Sequence, residues 1–161
     1  MSLFVGIDPG YGGAIARWDS GAGLDVYDMP LHTLTVNGKR KSRIDLYTLA
    51  TWVDVHLSNV TRAVIEEPNA LPGQGVVSMF NFGFACGVVQ AMVASMLIPV
   101  VLFKPSQWKA ALGIPGGPEG KDAARRKASQ LFPTSAGLFA RKQDHGRAEA
   151  ALLAWYGERT T

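Results

Sequence analysis

Phe4-Val5-Gly6-Ile7-Asp8-Pro9-Gly10 reads as a core strand that runs out on a carboxylate, and Ala63-Val64-Ile65-Glu66-Glu67-Pro68 repeats the pattern, its acid 58 residues after Asp8. Each is a short apolar run of the kind that fills the centre of a sheet. Each ends on an acid just before a proline, which fixes φ and redirects the chain. A carboxylate at the end of a buried strand is costly unless it is paired or meets a cation. Two such strand ends, with a further acidic cluster near the C-terminus, predict a nest for metal ions.

Working outward, residues 3–8 and 13–18 are expected to form an antiparallel pair across a Gly-rich turn, with a third strand over 24–29. Residues 33–43 read as a loop or small hairpin bent at Asn37-Gly38. Leu46, Leu49, Ala50, Val53 and Leu57 fall at helical spacing behind Asp45, a candidate N-cap. A fourth strand over 63–67 is followed by a Pro- and Gly-rich loop over 69–75. Next come an apolar helix over about 78–97, a fifth strand over 100–103, and a short helix opened by Pro105 and closed by Gly113. After a turn over 114–120, a basic helix spans 121–131, 134–143 is irregular, and a last helix covers 147–156. The 161 residues suffice for one α/β domain with a real core, and no repeat or linker divides them.

A net charge of +3 is mild, but its distribution is not. Between positions 98 and 147 there are nine Lys/Arg against three acids, and Lys39-Arg40-Lys41 with Arg43 makes a second basic knot. Basic surface beside clustered carboxylates points to a polyanionic substrate. The lone Cys86, set among Gly, Ala and Val, reads as a small buried thiol and excludes an internal disulfide. With Met1 leading into a strand and no leader evident, a cytoplasmic protein is expected. The uncharged stretch from 68 to 103 is long enough to cross a bilayer. Gln90, Ser95, Pro99 and the many small residues make it a core helix plus a strand instead, so no membrane partner is expected.

In Asp144-His145-Gly146-Arg147-Ala148-Glu149, Glu149 lies on the first turn of the last helix and shares a side with Leu152 and Leu153, which aims its carboxylate at the sheet. Three or four carboxylates converging would repel, and divalent cations relieve that. Oxygen donors with few His or Cys select magnesium, with manganese able to substitute. Two ions about 4 Å apart would clamp an in-line displacement at phosphorus. His145, four residues before Glu149, is placed to bind metal, orient water or act as acid/base. His32 and His56 read as ordinary structural or surface residues.

Ile7-Asp8-Pro9-Gly10, Val64-Ile65-Glu66-Glu67 and Gly146-Arg147-Ala148-Glu149-Ala150-Ala151-Leu152-Leu153-Ala154, in this order and spacing, resemble the RuvC family of Holliday-junction resolvases, its phage-type members above all. The resemblance covers nearly the whole chain. It implies an RNase H-like fold, a five-stranded mixed sheet flanked by helices. It also implies a homodimeric endodeoxyribonuclease that cuts four-way junctions and other branched DNA, with two magnesium ions per site, leaving 5′-phosphate ends, and with no nucleotide cofactor. Carried over, Asp8 matches the first metal-binding aspartate, Glu66 the glutamate of the fourth strand and Glu149 the last acid. The family places an Asp or His three or four residues before that acid; here Gly146 is at minus three, and Asp144 and His145 are joint candidates, with Asp144 the candidate metal ligand. Glu67 should face the other way along the strand.

Lys109 and Lys121 fall where the family carries basic residues that contact DNA, and Arg125, Arg126, Lys127 and Arg147 are further candidates. The family also tends to stack an aromatic from the loop after the strand-four glutamate. Pro68-Asn69-Ala70-Leu71 supplies none before Phe80. Two other readings compete. A non-catalytic branched-DNA-binding module would keep the fold without the chemistry. An actin- or sugar-kinase-like ATPase fragment would read Asp8-Pro9-Gly10-Tyr11-Gly12-Gly13 as a phosphate loop, a weak signal in a chain this short.

Overall fold

Alternation along two strands organises the molecule. The computed structural model describes residues 2–67, 69 and 72–161. Strands β1 (Leu3–Asp8), β2 (Ala14–Asp19), β3 (Gly23–Asp28), β6 (Val60–Glu66) and β7 (Val100–Phe103) form one mixed sheet in the order β3-β2-β1-β6-β7. The first three pair antiparallel, while β1–β6 and β6–β7 are parallel. Between β3 and the helix α1 (Leu46–His56), β4 (Leu31–Val36) and β5 (Lys39–Ile44) make a separate two-stranded hairpin. Asn37 and Gly38 at its tip both take positive φ, 51° and 73°, as a two-residue hairpin turn requires. The sheet of five strands and its flanking helices agree with the sequence reading. The hairpin resolves its "loop or small hairpin" over 33–43.

Because side chains alternate, β1 and β6 divide their residues between two cores. Val5, Ile7, Ala63 and Ile65 face α1 and α2 (Val76–Ser95), against Leu49, Val53, Ala85, Cys86, Val89 and Val93. Val64 with Ala14 and Ala16 faces the other way, toward α3 (Pro105–Ala111), α4 (Pro118–Leu131) and α5 (His145–Thr160). That second core is filled by Trp108, Phe132, Phe139, Leu152 and Leu153. Asp45 caps α1 as expected, accepting 3.0 Å from the Thr48 amide. Cys86 is buried and takes a 3.0 Å bond from Gln90 Nε2.

Helix α2 is long and apolar enough to span a membrane by length and composition. One side of it, Ala85, Cys86, Val89 and Val93, is core. The other leaves Val76, Val77, Phe80 and Phe84 exposed, so a core role accounts for only part of it. The segment 134–143, read as irregular, is wound into 3-10 turns over Pro133–Phe139, which carries the buried Phe139. Helix α5 begins at His145, two residues earlier than its apolar spacing suggested.

Candidate active site

Strand parity puts Asp8 and Glu66 on the same face. Ile7 is in register with Ile65, so the next residue along each parallel strand ends its run at the same edge of the sheet. Both carboxylates then point to the α5 side, the side of Val64. Glu66 and Glu67 therefore face opposite ways, as expected of neighbours in a strand.

Glycines bring α5 close enough for Glu149 to join them. A Cβ at Gly6 would collide with the Ala150 carbonyl and the Ala154 amide, so the helix rests directly on the β1 backbone. A Cβ at Gly146 would strike the Gly12 carbonyl and the Gly13 Cα, so the first turn of α5 seats on the turn that follows Asp8. Gly146 is the minus-three position, and the structure gives a physical reason for its side chain being absent. Between these two contacts Glu149 is buried and faces Asp8.

A third element completes the cluster. Glu66 is in register with Phe103 at the end of β7, and Pro105 starts α3 immediately afterward. One turn in, the fully buried Trp108 returns its indole N–H to Glu66 Oε2 at 3.1 Å. Its neighbour Lys109 reaches Glu149 Oε1 at 2.9 Å.

The electrostatics follow from crowding negative charge out of water. Burial, then Glu149, raises the Asp8 carboxyl to about 7, despite a 3.1 Å bond from the Gly10 amide. Burial, then Asp8 and Glu149, raises Glu66 to about 8. Burial works against the Lys109 ammonium, but Glu149, Glu66 and Asp8 together hold it above its ordinary value. Among the described residues, Lys109 is thus the one cation paired with an acid of this cluster, through Glu149. As the side chains stand, no three His, Cys, Asp or Glu among the described residues group closely enough to hold an ion. The donor set nonetheless suits one. It is made of oxygen and is short of positive charge, and burial with mutual repulsion raises the Asp8 and Glu66 carboxyls, a penalty that a bound cation would relieve.

The other predicted residues divide. His145 lies beside the cluster, its imidazole pulled below its usual value by burial and then by Lys121, against Glu149. Lys121 is exposed and shares a groove with His145 and Lys142. Asp144, expected at the metal, turns to Arg141 instead. It accepts from the Arg141 amide at 2.8 Å and from the guanidinium at 2.8 and 3.0 Å. Burial pushes its carboxyl up, but those bonds prevail and hold it below the ordinary range. Among the DNA candidates, Arg147 makes two 2.6 Å bonds to Asp28, and Arg125 folds back on Asp122 and on the Phe139 and Ala140 carbonyls. Arg126 is exposed and Lys127 half-buried. In the glycine turn, the Gly10 amide is spent on Asp8 and the Gly13 amide on the Gly10 carbonyl, two donors that a phosphate loop would aim outward.

Sequence reasoning missed Trp108, Arg141 and Phe82. The Phe82 ring lies against Gly10 and, with Met79, lines a cleft of about 870 Å³ bounded by Glu66 and Lys109. Pro68, Ala70 and Leu71, where an aromatic was sought, lie outside the described residues. The apolar run of α2 hid Phe82, because one aromatic in a helix of Val, Ala and Phe carries no mark of its own.

No family model matches the chain. Over 90 residues, 56% of its length, it is 33% identical to the chloroplastic Holliday junction resolvase MOC1 of Chlamydomonas reinhardtii, of whose length the match spans 10%. In three dimensions it is similar to Thermus thermophilus RuvC in complex with a Holliday junction substrate, with a TM-score of 0.59 and 17% identity over 97% of this chain and 92% of that one. A second Thermus thermophilus RuvC structure gives 0.55 and 17% over 98% and 95%. The fold is therefore the RNase H-like fold of RuvC.

Proposed function

We propose that this protein is a divalent-metal-dependent endonuclease that resolves four-way DNA junctions, acting as a homodimer. The observation that carries the reading is the convergence of Asp8, Glu66 and Glu149 from β1, β6 and α5 on one edge of the sheet, where burial and mutual repulsion raise the Asp8 and Glu66 carboxyls well above their ordinary values. Likeness to a junction resolvase in sequence and to RuvC in fold supports the choice of substrate.

Asp8, Glu66 and Glu149 would hold magnesium, in two ions per site. When bound, such ions supply the positive charge that stabilises attacking and leaving oxygens in displacement at phosphorus. Trp108 fixes the Glu66 carboxylate by its indole bond, so that a bound ion would meet a ligand already oriented. Lys109 balances the acids in the metal-free protein and is free to turn to a phosphate oxygen once they are otherwise neutralised. His145, its imidazole pulled below its ordinary value by burial and then by Lys121, would accept a proton from the attacking water. Water attacks phosphorus and the P–O3′ bond breaks, leaving a 5′-phosphate and a 3′-hydroxyl. The Arg141–Asp144 pair acts on structure, bracing the turn that launches α5. The exposed face of α2 is the natural dimer surface, since Val76, Val77, Phe80 and Phe84 form an apolar patch without a cover among the described residues.

The test is cleavage of a labelled synthetic four-way junction, a Y-fork and a matched linear duplex, with magnesium and with chelator, by wild type and Asp8→Asn. Paired magnesium-dependent nicks on the junction, abolished by Asp8→Asn with binding retained, are expected. Junction binding with no cutting on any substrate would overturn the nuclease reading in favour of a non-catalytic binding module. Cutting on forks as well would widen the reading to general debranching.

A further inference from the structure

The β4–β5 hairpin contributes almost nothing to either core, and it is chemically one-sided. Of its twelve strand residues only Ile44 is buried. From Leu31 to Ile44 it carries Lys39, Arg40, Lys41 and Arg43 and no acid. None of the four cations pairs with a carboxylate among the described residues; Arg43 merely touches the Ser42 carbonyl.

Register sorts these charges. Cross-strand partners share a face, and Val36 pairs with Lys39, Leu34 with Lys41 and His32 with Arg43. Lys39, Lys41 and Arg43 therefore stand in a row on one face, about 7 Å apart along the strand. Arg40 is on the other face, opposite Thr35. Leu34 and Val36 lie beside the lysine stems, which can cover them while the ammonium groups reach out.

The hairpin also has a defined root. Asp8 is in register with Ala14, and Ala14 with Asp28, so the chain leaves β3 along the edge that holds the carboxylates, about 10 Å from Asp8. Its base is pinned there by Met29 N–H to the Gly13 carbonyl at 3.1 Å and by Asp45 N–H to the Pro30 carbonyl at 3.0 Å. Six residues per strand give it a reach of about 20 Å. Protecting an exposed edge from aggregation would need charge, but charge of either sign would serve. A wholly positive row next to a phosphate-handling site has the complementarity of a nucleic-acid backbone contact.

We propose that the β4–β5 hairpin is an arm that grips the phosphate backbone of a double-helical segment flanking the cut, through Lys39, Lys41 and Arg43. The proposal rests on the reading that the protein acts on DNA, but not on its being catalytic. It makes the hairpin a source of affinity and orientation that is independent of sequence and of metal.

The experiment measures binding of a fluorescent four-way junction in chelator across a range of salt, for wild type, Lys39→Ala/Lys41→Ala/Arg43→Ala, and the charge-keeping Lys39→Arg/Lys41→Arg. Each lost phosphate contact removes about 0.9 from the slope of log K against log salt. The triple variant should therefore lose nearly three from that slope and at least about tenfold in affinity near physiological salt, with melting temperature unchanged. The arginine variant should keep the wild-type slope. An unchanged slope and affinity in the triple variant would overturn the proposal, even if the wild type cuts junctions. A changed oligomeric state with unchanged slope would overturn it too, assigning the hairpin to a second copy of the chain. Wild-type binding without cutting, with the slope change present, would sink the nuclease reading and leave the hairpin's role standing.

Discussion

Lys109 Nζ lies 2.9 Å from Glu149 Oε1, and this contact joins α3 to α5 across the end of the sheet. Glu149 is in turn the charge that acts on Asp8 after burial itself, and it acts on Glu66 as well. One ammonium thus pairs with Glu149 and acts through space on the other two buried acids. Lys109→Met should leave those acids uncompensated and cost about 2–3 kcal/mol of stability at pH 8 in chelator. A denaturation series with and without magnesium checks this, and the metal should recover much of the loss. Combined with Glu149→Gln, the two changes should be clearly non-additive, because each removes the same contact.

The acids also give the metal-free protein an inverted pH dependence. Asp8 and Glu66 titrate near 7 and 8 when folded, against 3.8 and 4.5 in an open chain. Between those limits the folded state holds more protons than the unfolded one, so stability falls as pH rises. Melting temperature in chelator should be highest near about pH 4 and drop by several degrees or more by about pH 8.5. Magnesium should flatten the upper part of the curve, because a cation takes the place of the protons. A curve that rises toward pH 8 in chelator would mean that the three carboxylates are not crowded as described.

Close approach of α5 to the sheet depends on missing side chains. Gly6→Ala and Gly146→Ala each drive a methyl into backbone, which cannot swing aside. Each should cost about 3 kcal/mol or fail to fold. Gly12→Ala is the control, since nothing lies within 4 Å of a Cβ there, and its change should be within about 0.5 kcal/mol. Any Gly146 variant that does fold should lose cutting, because the displaced first turn carries Glu149 away from Asp8. Urea denaturation and junction cleavage read the two effects separately.

What the sequence displayed and what it concealed follow the range of the interactions. Strand ends at Asp8 and Glu66 were legible because apolar runs stop abruptly there and parity decides their face. The Asp45 cap was legible because its partner is three residues away. Asn37-Gly38 marked a turn, but strands around it have no buried face, so the hairpin stayed ambiguous until its register was seen. Pairings between distant positions left no local trace. Trp108 to Glu66, Arg147 to Asp28 and Lys109 to Glu149 span 42, 119 and 40 residues. Asp144 shows the converse: its partner Arg141 is only three residues away, yet nothing in the motif marked that pair. Spacing alone does not tell an acid that holds a cation from one that braces a turn.

The outer face of α2 offers a test that separates folding from assembly. Gly83 and Gly87 are exposed on this helix, near Phe80 and Phe84 at helical spacing, and a Cβ at either meets nothing within 4 Å. In an isolated chain Gly→Ala inside a helix stabilises by about 0.5–1 kcal/mol, since glycine loses more backbone freedom on folding. If α2 packs on its twin through these small residues, the same methyls should hold the helices apart. Gly83→Ala/Gly87→Ala should then raise helix stability at high dilution while weakening self-association by about tenfold or more. Phe80→Ser should weaken association as well, without the gain in monomer stability. Sedimentation equilibrium paired with thermal melting at several concentrations distinguishes these outcomes. Monodisperse monomer for the wild type at high concentration would remove the dimer from the proposed function and leave the apolar face of α2 to another partner.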